Sequence, residues 1–374
     1  MLNPFKLERY FARYEFHAAH LLCCSDCESV TVNEILALEP DAEERLKRLR
    51  LGYTEAPGSP GLRREIASIY KSIHPEEILV HSGAEEAIFL FMQATLGPDD
   101  HVIVHWPCYQ SLAEMARAIG CRVSPWIARE EQGWRLDTDE LKGLMRPETR
   151  AVILNTPHNP TGYLMDRRCF DEVIRVTDER GVILFSDEVY RGCEYREEDR
   201  LPAACDLSEH AVSLGVMSKT YGLAGLRIGW AATRNAKILK GMAVLKDYTT
   251  ICNSAPSELL AEIALRHRQG LADRNLAIIR SNLAHLDDFF SRHDHRFRWR
   301  RPDAGPIAFP RLVGEKVDVF CDRLVKKSGV LLLPGTIYDH DGNHFRIGFG
   351  RSNLPQALQR LEEYLAFPTA EEVR

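Results

Sequence analysis

Short apolar runs alternate with longer amphipathic segments through the middle of the chain, from about residue 78 to residue 230. The apolar runs are ILVHS (78–82), HVIVHWP (101–107), AVILNTP (151–157) and VILFSDEV (182–189). The segments between them, which end at Gly97, Gly120 and Gly181, repeat apolar residues at helical spacing. Short buried strands separated by helix-length segments predict βαβ units and a mostly parallel sheet, so the fold class is α/β.

The pattern changes after about residue 253. A long helical pattern covers 257–293 and is followed by short strand candidates near 305–312, 330–333 and 345–349. This succession of a long helix and short strands predicts a smaller α+β domain, which we expect the N-terminal arm to join. The predicted division is an arm over 1–45, a large domain over 46–254 and a C-terminal small domain over 255–374.

The composition of the chain argues against several classes of function. The chain has 374 residues, 45% of them hydrophobic and 27% charged, with a formal net charge of −6, which is typical of a globular protein. The 48 basic residues are scattered, so nucleic acid is not an expected partner. No apolar run approaches the ~20 residues of a membrane span. The N-terminus has no apolar signal segment, so we expect the ten cysteines to be reduced thiols in a cytoplasmic protein.

Reactive and turn-forming residues follow the predicted strands. In open parallel sheets, ligands bind beyond the carboxyl ends of the strands. The segments there are HSGAEE (81–86), HWPCY (105–109), NTPHNPTG (155–162), SDEVY (186–190) and SKTYGLAGLRIGW (218–230). The first resembles a phosphate-binding helix start, although an ordinary helix start fits as well.

Three of these residues suggest specific chemistry. Lys219 lies in an apolar, glycine-rich stretch, where a lysine loses its proton easily and can act as a Schiff-base amine, while Ser218 and Arg227 could hold a phosphate. Asp187 ends an apolar run, where a half-buried carboxylate needs a cation. Asn159 lies in a rigid turn that could fix its amide. The alternative for Lys219 is a surface lysine, and for Asp187 it is a solvent-exposed carboxylate at a strand end. For Asn159 the alternative is a plain loop.

The ordered set of motifs resembles the class I/II aminotransferases of the pyridoxal-phosphate fold type I group. It runs Tyr53…Gly58…Gly61, SGAEE, WPCY, PHNPTG, SDEVY, SK and GLRIGW, and finishes in FRIGFGR (345–351). The resemblance implies a three-layer α/β/α large domain with a mostly parallel sheet, a smaller α+β domain, and pyridoxal 5′-phosphate as cofactor.

The resemblance also implies roles for individual residues. Lys219 corresponds to the lysine that forms the Schiff base with the cofactor and then acts as general base. Asp187 corresponds to the partner of the pyridine nitrogen, which keeps the ring cationic. Asn159 and Tyr190 are similar to the pair that bonds the phenolic oxygen, and Tyr109 to the aromatic residue that stacks on the ring.

The resemblance also implies which residues contact the cofactor phosphate, the substrate and a neighbouring subunit. The phosphate contacts are the backbone of Ala84 and Glu85 together with Ser218 and Arg227. Tyr53 resembles a tyrosine that reaches the phosphate of the neighbouring subunit, which implies a homodimer with shared sites. Arg346 resembles the arginine that binds the substrate α-carboxylate.

The implied reaction moves an amino group between an α-amino acid and an α-keto acid through Lys219. Other reactions on the same scaffold stay open, namely β-elimination with cyclisation or C–S cleavage, because the cofactor machinery is common to all of them. The chain departs from the family pattern at two places. Val216 stands where the family often has a hydroxyl, and the arm over 21–36 reads LLCCSDCESVTVNEIL in place of a glycine-containing turn. The segments FKLERYF (5–11) and SVTVNEIL (29–36) resemble the capreomycidine synthase branch, whose members eliminate a β-hydroxyl from an arginine derivative and cyclise the product.

The same arm carries histidines and cysteines at a spacing that suggests zinc. They are His17, His20, Cys23, Cys24 and Cys27. A loop of small residues beside the site, without metal, is the interpretation we favour, so no metal is expected.

Overall fold

A computed structural model describes residues 2–366 of the chain. Its strands are β1 (His20–Leu21), β2 (Ile78–His81), β3 (His101–Trp106), β4 (Arg122–Ile127), β5 (Thr149–Asn155), β6 (Ile183–Asp187), β7 (Ala211–Val216), β8 (Gly229–Ala232), β9 (Phe297–Arg298), β10 (Ile307–Ala308), β11 (Arg311–Leu312), β12 (Val330–Leu331), β13 (Leu333–Pro334) and β14 (Phe345–Gly348). Its α-helices are α1 (Lys6–Tyr14), α2 (Val32–Leu36), α3 (Ala42–Arg48), α4 (Pro60–Ala67), α5 (Ala84–Thr95), α6 (Ser111–Ile119), α7 (Thr138–Leu144), α8 (Arg167–Glu179), α9 (Ala204–Leu207), α10 (Ala236–Lys246), α11 (Ala255–Arg266), α12 (Arg268–Arg292), α13 (Val317–Ser328) and α14 (Leu354–Ala366).

The central sheet has seven strands in the order β2-β8-β7-β6-β5-β3-β4. The pairs from β7 through β6, β5 and β3 to β4 are all parallel. Strand β8 is antiparallel to both of its neighbours, β7 and β2. The predicted mostly parallel sheet is therefore confirmed, and the antiparallel pairs at one edge are an addition that the alternating pattern did not indicate.

Both faces of this sheet are covered by packed side chains. Along β5, Ala151 and Ile153 belong to a core that includes residues of α5, α6 and α12. The alternate residues Val152 and Leu154 belong to a second core that includes residues of α7 and α8. Because successive strand residues point to opposite faces, the sheet lies between two helical layers, as expected of an α/β/α fold.

The arm and the C-terminal third of the chain meet in short strand pairs. Strand β1 pairs in parallel with β12, and β14 lies between β10 and β13 in an antiparallel sheet. This pairing supports our proposal that the arm (1–45) and the predicted C-terminal domain (255–374, of which 367–374 lie outside the described residues) form one small domain beside the predicted domain over 46–254. No helix of the described residues is long and apolar enough to cross a membrane.

The helical pattern over 257–293 forms two helices. At His267, between α11 and α12, φ is −106° and ψ is 19°, away from helical values. Buried apolar residues continue on both sides, from Leu265 to Leu271. The hydrophobic periodicity crosses the break, which is why the sequence predicted one helix.

Candidate active site

The predicted site residues converge on one cavity of about 260 Å³. Those that line it are Ala84, Glu85, Tyr109, Asn159, Asp187, Tyr190, Ser218, Lys219, Arg227 and Arg346. They come from the start of α5, the carboxyl end of β6 and the loops after β3, β5 and β7, with Arg346 contributed by β14. Residues more than 250 positions apart along the chain therefore share a single cavity.

One end of the cavity is built to receive an anion. Helix α5 begins after Gly83, which has a φ of 90° and gives the helix no side-chain cap, so its first amides stay free for a ligand. A Cβ at Gly83 would lie 2.5 Å from Nη2 of Arg227, so only glycine lets the guanidinium approach the helix start this closely. Ser218 lines the same cavity, and together these groups fit a phosphate.

Asp187 ends β6 and is 5% exposed. Its Oδ1 accepts a hydrogen bond from the amide of Val189 at 3.2 Å. Burial raises the pKa of its carboxyl to about 7, because few groups nearby solvate the charge. A cationic partner in the cavity would remove that cost, so the carboxyl fits a protonated ring nitrogen.

Asn159 is held so that its amide nitrogen stays available. Its Oδ1 accepts hydrogen bonds from the hydroxyl of Tyr338 at 3.0 Å and from Nη1 of Arg346 at 3.2 Å. Its backbone amide donates to Oδ1 of Asn155 at 2.7 Å. The Nδ2 group is therefore a free donor beside the cavity, which is what bonding to a phenolic oxygen requires.

Tyr190 is buried and its hydroxyl has no hydrogen-bond partner among the described residues. A buried hydroxyl without a partner costs free energy, and a ligand oxygen in the cavity would satisfy it. Tyr109 lines the same space and contacts Phe5 of the arm, with ring centroids 5.2 Å apart. The cavity thus offers an aromatic wall and an unsatisfied hydroxyl to a planar, oxygen-bearing ring.

Lys219 follows β7, and its Nζ donates a hydrogen bond to Oγ of Ser25 at 2.9 Å. Burial lowers the pKa of this amine, while the charges of Asp26 and Asp187 oppose the shift. A lysine with a lowered pKa provides more of the neutral amine that acts as nucleophile or base.

Arg346 is 1% exposed and is hydrogen-bonded on several sides. Besides Asn159, its guanidinium donates to the hydroxyl of Tyr338 and twice to the carbonyl of Cys23. Of its five N–H groups these contacts use four, which leaves one on Nη2 together with the full positive charge. A carboxylate is the ligand that such a buried guanidinium favours.

Tyr53 is the one predicted site residue that the structure leaves outside the cavity. Its side chain is 91% exposed. Its predicted contact with a neighbouring subunit stays a prediction. In the described part of the chain, no three histidine, cysteine or carboxylate side chains are grouped closely enough to hold a metal ion.

Sequence reasoning did not assign several residues that the structure places here. Those that line the cavity are Ser25, Asn155 and, from α1, Leu7, Glu8 and Phe11. Tyr338 is not part of the lining, but its hydroxyl accepts a hydrogen bond from Arg346. The one sequence signal for Ser25 was the departure of LLCCSDC from the family's glycine turn. The one signal from helix α1 was the resemblance of FKLERYF (5–11) to the capreomycidine synthase branch, which gave none of its residues a role in the site.

The sequence model of aminotransferase class I and II matches residues 21–361. Capreomycidine synthase of Streptomyces vinaceus is 29% identical over 364 residues, which cover 96% of this chain and 93% of that protein. A PLP-dependent aminotransferase structure from Streptococcus suis 89-1591 is 33% identical, with a TM-score of 0.92 over 97% of this chain and 98% of its own. The structure of the PLP-dependent cyclase OrfR is 32% identical, with a TM-score of 0.90 over 98% of this chain and 97% of its own.

The recognised family and its structural neighbours depend on pyridoxal 5′-phosphate. The anion cradle at α5, the buried carboxyl of Asp187 and the unsatisfied hydroxyl of Tyr190 fit that cofactor. The chain belongs to the aminotransferase class I and II family, and its cofactor is pyridoxal 5′-phosphate.

Proposed function

We propose that the protein transfers an amino group between an α-amino acid and an α-keto acid. The observation that carries this proposal is the placement of Lys219, Asp187 and Arg346 around one cavity. A base, a carboxylate for the ring and a cation for the substrate carboxylate are the groups this reaction needs. Members of the family act on such substrates, as the aspartate aminotransferase of Thermotoga maritima does by name.

Each part of the cavity has a proposed role toward the cofactor. The amides of Ala84 and Glu85, with Ser218 and Arg227, hold the phosphate. Asp187 pairs with the ring nitrogen, Asn159 and Tyr190 bond the phenolic oxygen, and Tyr109 stacks on the ring. When bound, the cofactor supplies an electron sink for the negative charge that forms at the substrate Cα.

The chain's own residues then bind the substrate and move its proton. Arg346 binds the α-carboxylate and fixes the amino acid in one orientation. Lys219 takes the proton from Cα as general base and returns it at a neighbouring carbon as general acid. Burial favours this role, since it lowers the pKa of the Lys219 amine.

A second candidate is β-elimination followed by cyclisation. The observation that favours it is the arm, where Ser25 instead of a glycine turn faces the Lys219 amine. Capreomycidine synthase and the OrfR cyclase are among the similar proteins. In this reaction Lys219 and Asp187 would act as above, and the substrate would lose a group from Cβ instead of its amino group.

We further propose a homodimer in which Tyr53 reaches the neighbouring cavity. Tyr53 is 91% exposed and Tyr248 is 86% exposed, and Leu51 and Ile251 are also exposed. These residues belong to two adjacent segments, because Oγ1 of Thr54 donates to the carbonyl of Asn253 at 3.0 Å. Exposed apolar side chains from adjacent segments are typical of an interface.

A panel of amino acids and keto acids, with all products identified by mass spectrometry, tests the reaction. Transamination predicts a keto acid from the first substrate and a new amino acid from the second. It also predicts parallel lines in double-reciprocal plots, because the two half-reactions alternate. Turnover without a keto-acid acceptor, with loss of a Cβ substituent, would contradict transamination and support elimination.

The charges left unassigned in the cavity predict a side-chain preference. The lining residues Glu8 and Glu85 carry acidic side chains with no role toward the cofactor, and the lining has no unassigned cation. Burial is the main cause that raises the pKa of the Glu85 carboxyl to about 7, and the charge of Glu8 contributes to the same rise. A cationic substrate side chain would relieve both effects, so we expect arginine or lysine to be preferred over aspartate or glutamate.

The variant Glu8→Gln tests this preference. We expect kcat/KM for arginine to fall by up to about fivefold, the size of one partly exposed ion pair, with little change for methionine. Glu15→Gln is the matched control, because it removes the same charge from the arm outside the cavity lining. Equal losses for arginine and methionine would argue against a role of Glu8 in side-chain recognition.

A further inference from the structure

The hydroxyl of Ser25 meets the amine of Lys219 inside the cavity. Nζ donates to Oγ at 2.9 Å, and no other acceptor in residues 2–366 lies within hydrogen-bond distance of this amine. An amine in an enclosed space is unfavourable unless a partner bonds it. Ser25 is therefore the hydrogen-bond partner that holds this amine among the described residues.

The backbone on the N-terminal side of Ser25 is fastened to β14. Nε of Arg346 donates to the carbonyl of Cys23 at 3.1 Å, and the amide of Gly348 donates to the carbonyl of Leu22 at 2.7 Å. A Cβ at Gly348 would lie 1.7 Å from the carbonyl oxygen of Cys24, so this strand position admits only glycine. The backbone of the arm therefore packs directly against the backbone of β14.

The backbone on the C-terminal side is fastened as firmly. Arg351 donates to both carboxylate oxygens of Asp26, at 3.0 and 2.8 Å. A Cβ at Gly350 would lie 2.3 Å from the carbonyl oxygen of Asp26. Residues 22–27 are thus held on both sides of Ser25 by one segment, FRIGFGR (345–351), which fixes the hydroxyl relative to the cavity.

A fixed acceptor has a direct effect on a proton-transferring amine. When Oγ takes one N–H of a neutral amine, the lone pair is directed to a different part of the cavity. The same contact stabilises the ammonium form after the amine has accepted a proton. A freely rotating lysine side chain would reach the same position only part of the time.

We propose that Ser25 is a positioning residue for Lys219, and that its hydroxyl accepts a hydrogen bond from the free Nζ and so fixes the amine that takes and returns the substrate proton. The proposal rests on the proposed function in that Lys219 is the base. It holds for transamination and for elimination, because both begin with loss of the Cα proton.

The first test uses full-length protein freed of cofactor, so it does not depend on turnover. Lys219 is labelled with acetic anhydride across a pH series, and its modification is followed by peptide mass spectrometry. Ser25→Ala removes a partner of the ammonium form, so the midpoint of labelling should fall by about one pH unit. Ser25→Thr keeps the hydroxyl and should retain the original midpoint, as should Ser29→Ala, whose exposed hydroxyl lies on the same arm.

The second test uses the cofactor-loaded protein and an amino acid that it turns over. For Ser25→Ala we expect kcat to fall by about tenfold with KM unchanged within about twofold, and the primary isotope effect with Cα-deuterated substrate to rise. Ser25→Thr should recover most of kcat. Ser25→Gly also removes the hydroxyl and introduces no new titratable group, so it should behave like the alanine variant and guards against a folding defect in that variant.

Two results would overturn the proposal. One is an unchanged labelling midpoint in both Ser25→Ala and Ser25→Gly. The other is an equal loss of kcat in Ser25→Thr and Ser25→Ala with matching circular dichroism spectra, which would show that packing and not the hydroxyl matters. A shifted midpoint without turnover of any amino acid would instead contradict the proposed function and leave the contact between Ser25 and Lys219 intact.

Discussion

Lys219→Ala should reduce turnover by at least about 10³-fold. In the proposed reaction Lys219 is both the amine that attaches the cofactor and the general base, and a single positioned base contributes about 10²- to 10⁴-fold. Cofactor should still bind, because the anion cradle at Gly83 and Arg227 does not depend on the lysine. The measurements are kcat on the best substrate of the panel and the cofactor dissociation constant by fluorescence titration.

A control separates this effect from a change of charge. Lys240→Ala removes an exposed lysine of α10 outside the cavity lining and should leave kcat within twofold. Borohydride reduction followed by peptide mass spectrometry should add the cofactor mass to the Lys219 peptide in the parent protein only. Retention of turnover within tenfold by Lys219→Ala would contradict the assignment of Lys219 as the base.

The residues that we propose bind the cofactor could be located from the sequence, because they follow predicted strands. Asp187 and Asn159 each stand within a few positions of a strand end, and Lys219 follows the end of β7. Parallel strands bring their carboxyl ends to one edge of a sheet, so local motifs determine a shared location. The mostly parallel sheet followed from the same alternation, whereas the two helical layers were implied by the family resemblance.

The side of the cavity that we propose binds the substrate was harder to predict from the sequence, because it is assembled from distant segments. Ser25 and Glu8 belong to the arm, and Arg346 and Tyr338 to the C-terminal third of the chain. Their meeting depends on the β1–β12 pair and on close backbone packing at Gly348, neither of which has a local periodicity. Resemblance supplied Arg346, while Ser25 required the three-dimensional contact with Lys219.

Asp187→Asn should lower kcat by about 10²- to 10³-fold. A neutral amide cannot stabilise a protonated ring nitrogen, and removing one partner of a buried ion pair costs about 3–5 kcal/mol. KM should change far less, because in the proposed reaction Arg346 and not Asp187 binds the amino acid. Asp187→Glu keeps the carboxylate and should recover part of the activity, which separates the role of the charge from that of side-chain shape.

The same substitution should have the opposite effect on the cofactor-free protein. In the folded chain burial raises the pKa of Asp187 to about 7, above its ordinary value, so the folded state holds this proton more tightly than the unfolded state does. The free energy of unfolding therefore falls as pH rises from about 4 to about 7, and an asparagine avoids that loss.

Thermal unfolding without cofactor should show Asp187→Asn to be more stable than the parent protein at pH 8, with a smaller difference at pH 5. Saturating cofactor should reverse the order at pH 8, because the ion pair then stabilises only the protein that retains the carboxylate. An equal stability difference at both pH values would show that the Asp187 carboxyl does not titrate in this range, and that its ionisation is not what the cofactor stabilises.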